Sequence, residues 1–571
     1  MRRVSSHFFN QSIDGSQGFC VGREEQERVE REREPLGRER MGRERAERAE
    51  RELLVRRLKP VETGYHRKLC CMDGTRQSLL NQIMDWVANK SGQENALQGN
   101  AYWICGSPGI GKTSLAHSIC VGLDERNHLA GAFFCRRDDP NLSEPINILP
   151  TLIHKLSILL PTFRAIVANH LRDNPNLTPE SMEGSLFLDF IGSLPRRPEH
   201  TLVFVIDALD ECGDAQSRPH LLDILTNAAA QAPWLKIIVT RRTEVDIQHF
   251  FGTLAQSSYF SHDLATDQDA IADLRIFTRS QFELVASHWN LDAPWPEESD
   301  FNNIISRANG LFIFVKTLVL SLKRCKDPEE FLRAALQDSA MIGLESLFKL
   351  YSSILKAQIV DNNAEFQQMV GVLLAASPYR ALREETIAEL AGVKPCLVKT
   401  WVDALSSLIY REDAANRGIR VRHLSVYDFF LSDRCDYQVN VRDADVQLGI
   451  ACLKVMTTQL HFNICKLDDS RLANADITDL PVRVKQNISD PLQYSCLHWL
   501  SHLCLPPVNR DQRLSVLGSL KTFLEGLYPL FWVEVLSIMG MIQIGVPSLR
   551  RLLYWVRVST FSLWHFAFQD D

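Results

Sequence analysis

Gly106-Ser107-Pro108-Gly109-Ile110-Gly111-Lys112-Thr113 meets every fixed position of the pattern G-x-x-x-x-G-K-[ST]. Upstream, Ala101-Tyr102-Trp103-Ile104-Cys105 reads as a short buried strand. Downstream, Leu115, Ile119 and Leu123 recur at the spacing of one helix face. Strand, glycine loop and helix therefore follow in the order a phosphate cradle requires. The glycines at 106, 109 and 111 let backbone N–H groups curl around phosphate oxygens, and the helix N-terminus adds partial positive charge. Lys112 reaches the terminal phosphates, and Thr113, with Ser114 beside it, offers a hydroxyl to Mg²⁺.

Leu202-Val203-Phe204-Val205-Ile206 is a continuous apolar run, expected of a central parallel strand buried on both faces. It ends in Asp207-Ala208-Leu209-Asp210-Glu211, which places carboxylates at the carboxyl end of a strand, where α/β sheets hold their ligands. Asp207 is expected at the Mg²⁺, directly or through water, and either Asp210 or Glu211 is placed to polarise an attacking water. This acid-bearing strand is expected beside the strand that feeds the loop. A further buried run, Leu235 to Thr240, leads into Arg241 and Arg242. Either arginine can sense a γ-phosphate; a solvent-facing basic turn is the alternative.

Bulk properties narrow the surroundings of these motifs. A chain of 571 residues with 45% hydrophobic content has ample material for several cores. Its formal charge of -7 gives no general attraction to nucleic acid or anionic membrane. The 14 cysteines lack paired spacing of the zinc or secreted-scaffold kind, which fits a reduced, cytoplasmic protein. The stretch Leu527 to Val546 is long and apolar, but Glu534, Pro529 and Pro547 favour a buried helix pair over a membrane span.

The expected fold is an α/β P-loop NTPase domain, a parallel sheet with flanking helices, followed by a helical domain, a winged helix and a C-terminal all-α region. Residues 1–60 form a charged Arg/Glu segment, expected to be a solvated, fraying tether with pairs such as Glu24/Arg28 and Glu47/Arg51. Residues 61–95 form a linker helix entered through Arg76, in a segment placed to lie over the nucleotide base. The nucleotide domain spans 96–262, the helical domain 263–342, the winged helix 343–435 and the C-terminal helices 436–571. His423, which opens the run His423-Leu424-Ser425-Val426-Tyr427-Asp428, reads by itself as a structural histidine.

Taken together, GSPGIGKT at 106–113, LVFVIDALDEC at 202–212, KIIVTRRTE at 236–244 and HLSVYDFFL at 423–431 resemble the NACHT branch of the STAND nucleotide switches. Small Ala208 after the Mg²⁺ aspartate, with acids at 210 and 211, is the NACHT form of the second motif. CMDGTRQSLLNQIMDW at 71–86 and GAFFCRRDDPN at 131–141 resemble the fungal type, and the likeness covers about 70–571.

The resemblance implies an ATPase of slow turnover. It would be closed with ADP between P-loop domain and winged helix, open and self-assembled with ATP, and would answer to trigger and effector proteins that the sequence does not identify. It also implies that His423 touches the bound β-phosphate and that Arg242 is the sensor. Three departures stand out. Arg241 and Thr243 replace the serine and proline of the usual T-S-R-P, so the sensor stays open between Arg241 and Arg242. Gly310-Leu311-Phe312 stands where related switches have Gly-Leu-Pro. No period of repeat length precedes Asp571. Two other functions fit part of the pattern: a non-hydrolysing nucleotide-binding scaffold, and an ATPase coupled to nucleic acid. Glu384, Glu385 and Glu389 argue against the second.

Overall fold

The computed structural model describes residues 41–42, 44–88, 99–178, 184–194, 198–242, 250, 259–292, 294–337, 341–359, 363–412, 418–469, 471–503 and 510–567. The described residues fall into two compact units, one drawn from 1–60 and 149–196, the other from 61–148 and 197–571.

In the first unit the Arg/Glu run departs from the expected tether. Residues 44–58 form a helix that buries Leu54 and Leu58. Arg164, buried on the helix Pro161–Asp173, pairs with Glu47 and Glu50 at 3.3 Å each. Arg57 donates to the carbonyls of Asn174 (3.0 Å) and Leu177 (2.7 Å), just past that helix's C-terminus. Two leucines on one face and a buried guanidinium to neutralise override the fraying that i,i+4 pairs alone predict. Glu24 and Arg28 lie outside the described residues.

The second unit contains a fully parallel sheet of β1 (Ala101–Cys105), β2 (Leu129–Phe134), β3 (Leu202–Asp207), β4 (Leu235–Arg241) and β5 (Tyr259–Asp263), in the order β2-β3-β4-β1-β5. Every residue of β1, β3 and β4 is buried, as expected of runs covered on both faces. The edge strand β5 carries the sheet past the expected boundary at 262. Its Ser261, His262 and Asp263 hold no apolar run, because an edge position demands less burial.

The sheet order corrects one expectation: β3 is not beside β1, because β4 lies between them. The helix Lys112–Asp124 nevertheless packs across β2, β3 and β4. It leaves the end of β1 and slants over the twisted sheet, so its first turn stands above the end of β3.

After β5 the unit is almost entirely helical. Ala270–Trp289, Glu298–Ala308 and Phe312–Leu322 are followed by Leu344–Gln358. Next come Asn363–Ala376, Glu384–Ala391 and Pro395–Ala404, an antiparallel pair β6 (Ile409–Arg411) and β7 (Ile419–Val421), and the helix Leu424–Leu431.

Farther on, Val441–Gln459 packs along Asp490–Leu503, where His502 bridges Asp445 and the Tyr494 hydroxyl at 2.8 Å each. Trp499 meets Trp532 edge-on at 5.7 Å. The apolar stretch near 527–546 becomes the helix Tyr528–Ile538 and the start of Gly545–Ala567. Glu534 accepts from the backbone N–H groups of Asn463 (3.3 Å) and Ile464 (3.2 Å). Among the described residues no helix is long and apolar enough to cross a membrane.

Candidate nucleotide-binding site

The loop is set by its glycines. Gly109 and Gly111 take positive φ of 83° and 99°, a region that costs other residues about 1–2 kcal/mol. Gly111 caps the helix Lys112–Asp124, so that helix begins at the cradle. Gly109 also has no room to grow: a Cβ there would stand 2.0 Å from Ile313 Cγ2. Lys112 is buried and its Nζ donates to the carbonyls of Gly106 (2.7 Å) and Ser107 (3.0 Å). Burial lowers its proton affinity, while Asp210 and Asp207 pull the other way.

Asp207 lies at the far side of β4, yet its carboxylate is hydrogen-bonded by both Thr240 and Thr113. Thr240, at the end of β4, donates to Asp207 Oδ1 at 2.5 Å and accepts from the Ala208 N–H at 2.9 Å. One small hydroxyl thus spans the inserted strand and steadies the left-handed turn at Ala208, whose φ is 54°. Burial holds the Asp207 carboxyl above its ordinary range, offset by the threonine bonds and Lys112. Thr113 and Asp207 thus bring a hydroxyl and a carboxylate within hydrogen-bonding reach of each other. That all-oxygen pair suits Mg²⁺, which takes few protein ligands beside phosphate and water.

Asp210 and Glu211 follow on a 3-10 turn, Leu209–Glu211. Asp210 is buried; it accepts from the Arg242 N–H (2.8 Å) and pairs with Arg242 Nε (3.3 Å). Glu211 accepts from the Arg137 N–H (3.3 Å), and burial with neighbouring Asp210 raises its carboxyl from 4.5 to about 7. A raised acid stabilises the fold fully below 4.5 and loses that contribution as pH climbs through 7. Relative to Glu211→Gln, the native chain is expected to lose on the order of 2 kcal/mol between pH 4.5 and pH 7, read from urea unfolding at each pH. Parallel curves for the two proteins would remove Glu211 from this role.

The two strand-end arginines part ways. Arg241 is buried and donates to the Arg242 carbonyl (3.0 Å). Arg242 enters the acid cluster and carries a further bond, from Nη1 to Asp428 Oδ2 at 2.8 Å. Asp428 sits on the helix Leu424–Leu431, which His423 caps. Thr243, beyond them, lies outside the described residues.

His423 Nδ1 accepts from the Ser425 N–H (3.1 Å) and lies 2.6 Å from Ser425 Oγ, which meets the Tyr351 hydroxyl at 2.8 Å. With Nδ1 accepting, the ring proton resides on Nε2. Cε1 stands 3.7 Å from where a Gly109 Cβ would be, so the ring borders the loop. Burial and the cations Arg242, Lys112 and Lys316 push the imidazole down to about 3, which leaves it neutral.

Arg76 reaches the loop but is already committed. Its Nη1 donates to Asp267 (2.7 Å), its Nη2 to the Ile110 carbonyl (3.2 Å), and its backbone N–H to Asp273 (3.0 Å). The guanidinium also stacks 5.6 Å from the Phe312 ring. It braces the loop, and the expected place over the base is not one these contacts describe. Sequence reasoning also passed over Thr240, Asp428 and Ile313, whose N–H donates to the Gly109 carbonyl (3.2 Å). Nothing local marks them; each matters only through a distant partner. Of the cysteines among the described residues, all are free, and no His, Cys, Asp and Glu cluster there is arranged for a metal.

The family described as Nephrocystin 3, N-terminal, matches residues 74–242, which span the loop, the acid turn and Arg242. The vegetative incompatibility protein HET-E-1 of Podospora anserina is 26% identical over 84% of this chain, which in turn spans 36% of that protein's length. Among solved structures, the Walker-type ATPase of Pyrococcus abyssi is 14% identical, with 65% of this chain and 99% of that one covered and a TM-score of 0.31. The ORC2 protein of Aeropyrum pernix, seen in ADPNP and ADP complexes, is 11% identical over 68% of this chain and 96% of that one, with a TM-score of 0.28. In its phosphate loop, its acid turn at the end of β3 and these two sequence matches, the chain is similar to the NACHT-domain STAND P-loop NTPases.

Proposed function

We propose that this chain is a signalling switch that binds ADP or ATP with Mg²⁺ and changes its domain arrangement and self-association with the nucleotide held. One observation carries the reading: Arg242 is clamped between Asp210 of the acid turn and Asp428 of a helix nearly two hundred residues away, a separation of 186 in sequence. A γ-phosphate beside the loop offers Arg242 a stronger, more highly charged partner than Asp428. Its arrival weakens the tie between the sheet and the segment 343–435, which we read as a winged helix. Neutral His423, whose ring borders the loop through Cε1 and carries its proton on Nε2, donates to the β-phosphate in the closed form. Thr113 and Asp207 would hold Mg²⁺, which neutralises phosphate charge when bound. Glu211 is the better placed of the two acids to polarise water, because Asp210 is spent on Arg242. Turnover would be slow, with hydrolysis resetting the switch in the cytoplasm. The incompatibility named for the Podospora relative is the kind of response to which we assign it.

Chromatography of nucleotide released from purified protein is the direct test, followed by mass measurement with ADP and with a non-hydrolysable ATP analogue. The expected outcome is bound ADP, and a larger assembly with the analogue alone. Equal mass in both nucleotides would overturn the switch, and absence of phosphate release would leave a nucleotide-held scaffold.

A further inference from the structure

The helix Phe312–Leu322 is docked on the phosphate loop by its first turn, where Ile313 donates to the Gly109 carbonyl at 3.2 Å and its side chain fills the space above Gly109. Lys316 follows three residues later and therefore lies on the same face, one turn along. The His423 ring borders the same glycine. Lys316 is close enough to His423 for its charge to oppose protonation of the ring, as Lys112 and Arg242 do.

These cations differ in how they are balanced. Lys112 is held by loop carbonyls within the field of Asp207 and Asp210, and Arg242 has two carboxylates. Among the described residues no carboxylate pairs with Lys316. Its surroundings lower its proton affinity, partial loss of water first and the like charge of Arg422, the residue before His423, second. A cation in the field of other cations, near a neutral imidazole and a backbone cradle, is an arrangement that an anion relieves.

We propose that Lys316 is a phosphate-binding residue, a second lysine that meets the diphosphate of the bound nucleotide from the helix Phe312–Leu322, beside His423. The proposal rests on the nucleotide-binding reading above and adds a contact that the loop pattern does not contain. Lys316 keeps some solvent contact and is not part of the buried core, so its replacement removes no core packing.

The test uses the full chain with Lys316→Met and Lys316→Arg, ADP titrated calorimetrically at low and moderate salt, and melting without nucleotide. Lys316→Met is expected to weaken ADP about tenfold and to flatten the salt dependence, with unliganded melting unchanged; Lys316→Arg should stay within about twofold of the native chain. Native-like ADP affinity in Lys316→Met, with Lys112→Ala still losing ADP, would overturn the assignment and leave Lys316 a solvated cation. Equal losses in both Lys316 variants with a lower unliganded melting point would also overturn it, as a structural role. Retention of ADP by Lys112→Ala would instead overturn the site reading on which the proposal stands.

Discussion

Lys112→Ala is expected to lose nucleotide retention altogether. Its ammonium is the buried cation of the loop, bonded to the Gly106 and Ser107 carbonyls and balanced by Asp207 and Asp210. Charge-assisted hydrogen bonds are worth about 1.5–3 kcal/mol each, so loss of two to phosphate weakens ADP by about 10²–10⁴-fold. Calorimetric titration of ADP checks this. A melting curve without nucleotide belongs beside it, because the variant also leaves two loop carbonyls without their donor. Unchanged affinity in a folded variant would sink the loop as the phosphate site.

The second large effect is expected at Asp428. Its replacement by alanine leaves Arg242 paired with Asp210 alone among the described residues and removes the tie between β4's end and the helix Leu424–Leu431. The pair is partly exposed, so its contribution is about 1–2 kcal/mol rather than the larger cost of a fully buried pair. Release of fluorescent ADP should therefore quicken by about 5–30-fold, and the ADP-loaded protein should assemble partly without the ATP analogue. Asp428→Glu is expected to restore slow release. Identical release rates in the native and alanine proteins would mean that the Arg242 clamp carries no switching load.

What could be read from the chain beforehand follows a physical division. The loop and the acid turn are legible because phosphate and magnesium demand contiguous residues: glycines at fixed offsets, a lysine, a hydroxyl, and acids after an apolar strand. Long helical stretches after the sheet were also legible, since periodicity is local. The strand order was not, and neither was β5, whose edge position asks little of its side chains. The helix over 44–58 was misread because its i,i+4 charge pairs conceal two buried leucines. Arg241 and Arg242 could not be separated without the partners Asp210 and Asp428, and Thr240 could not be noticed at all without knowing that β4 stands between the cradle and the acid.

That intervening strand has a mechanical corollary. β4 is the keystone of an arch: its penultimate threonine grips the magnesium aspartate, and the residue just past its end reaches for the distant helix. A sideways slip of β4 by a single position would exchange its two faces and disengage both grips together. On the proposed switch, sensing of phosphate and its report to the helix Leu424–Leu431 would share one point of failure.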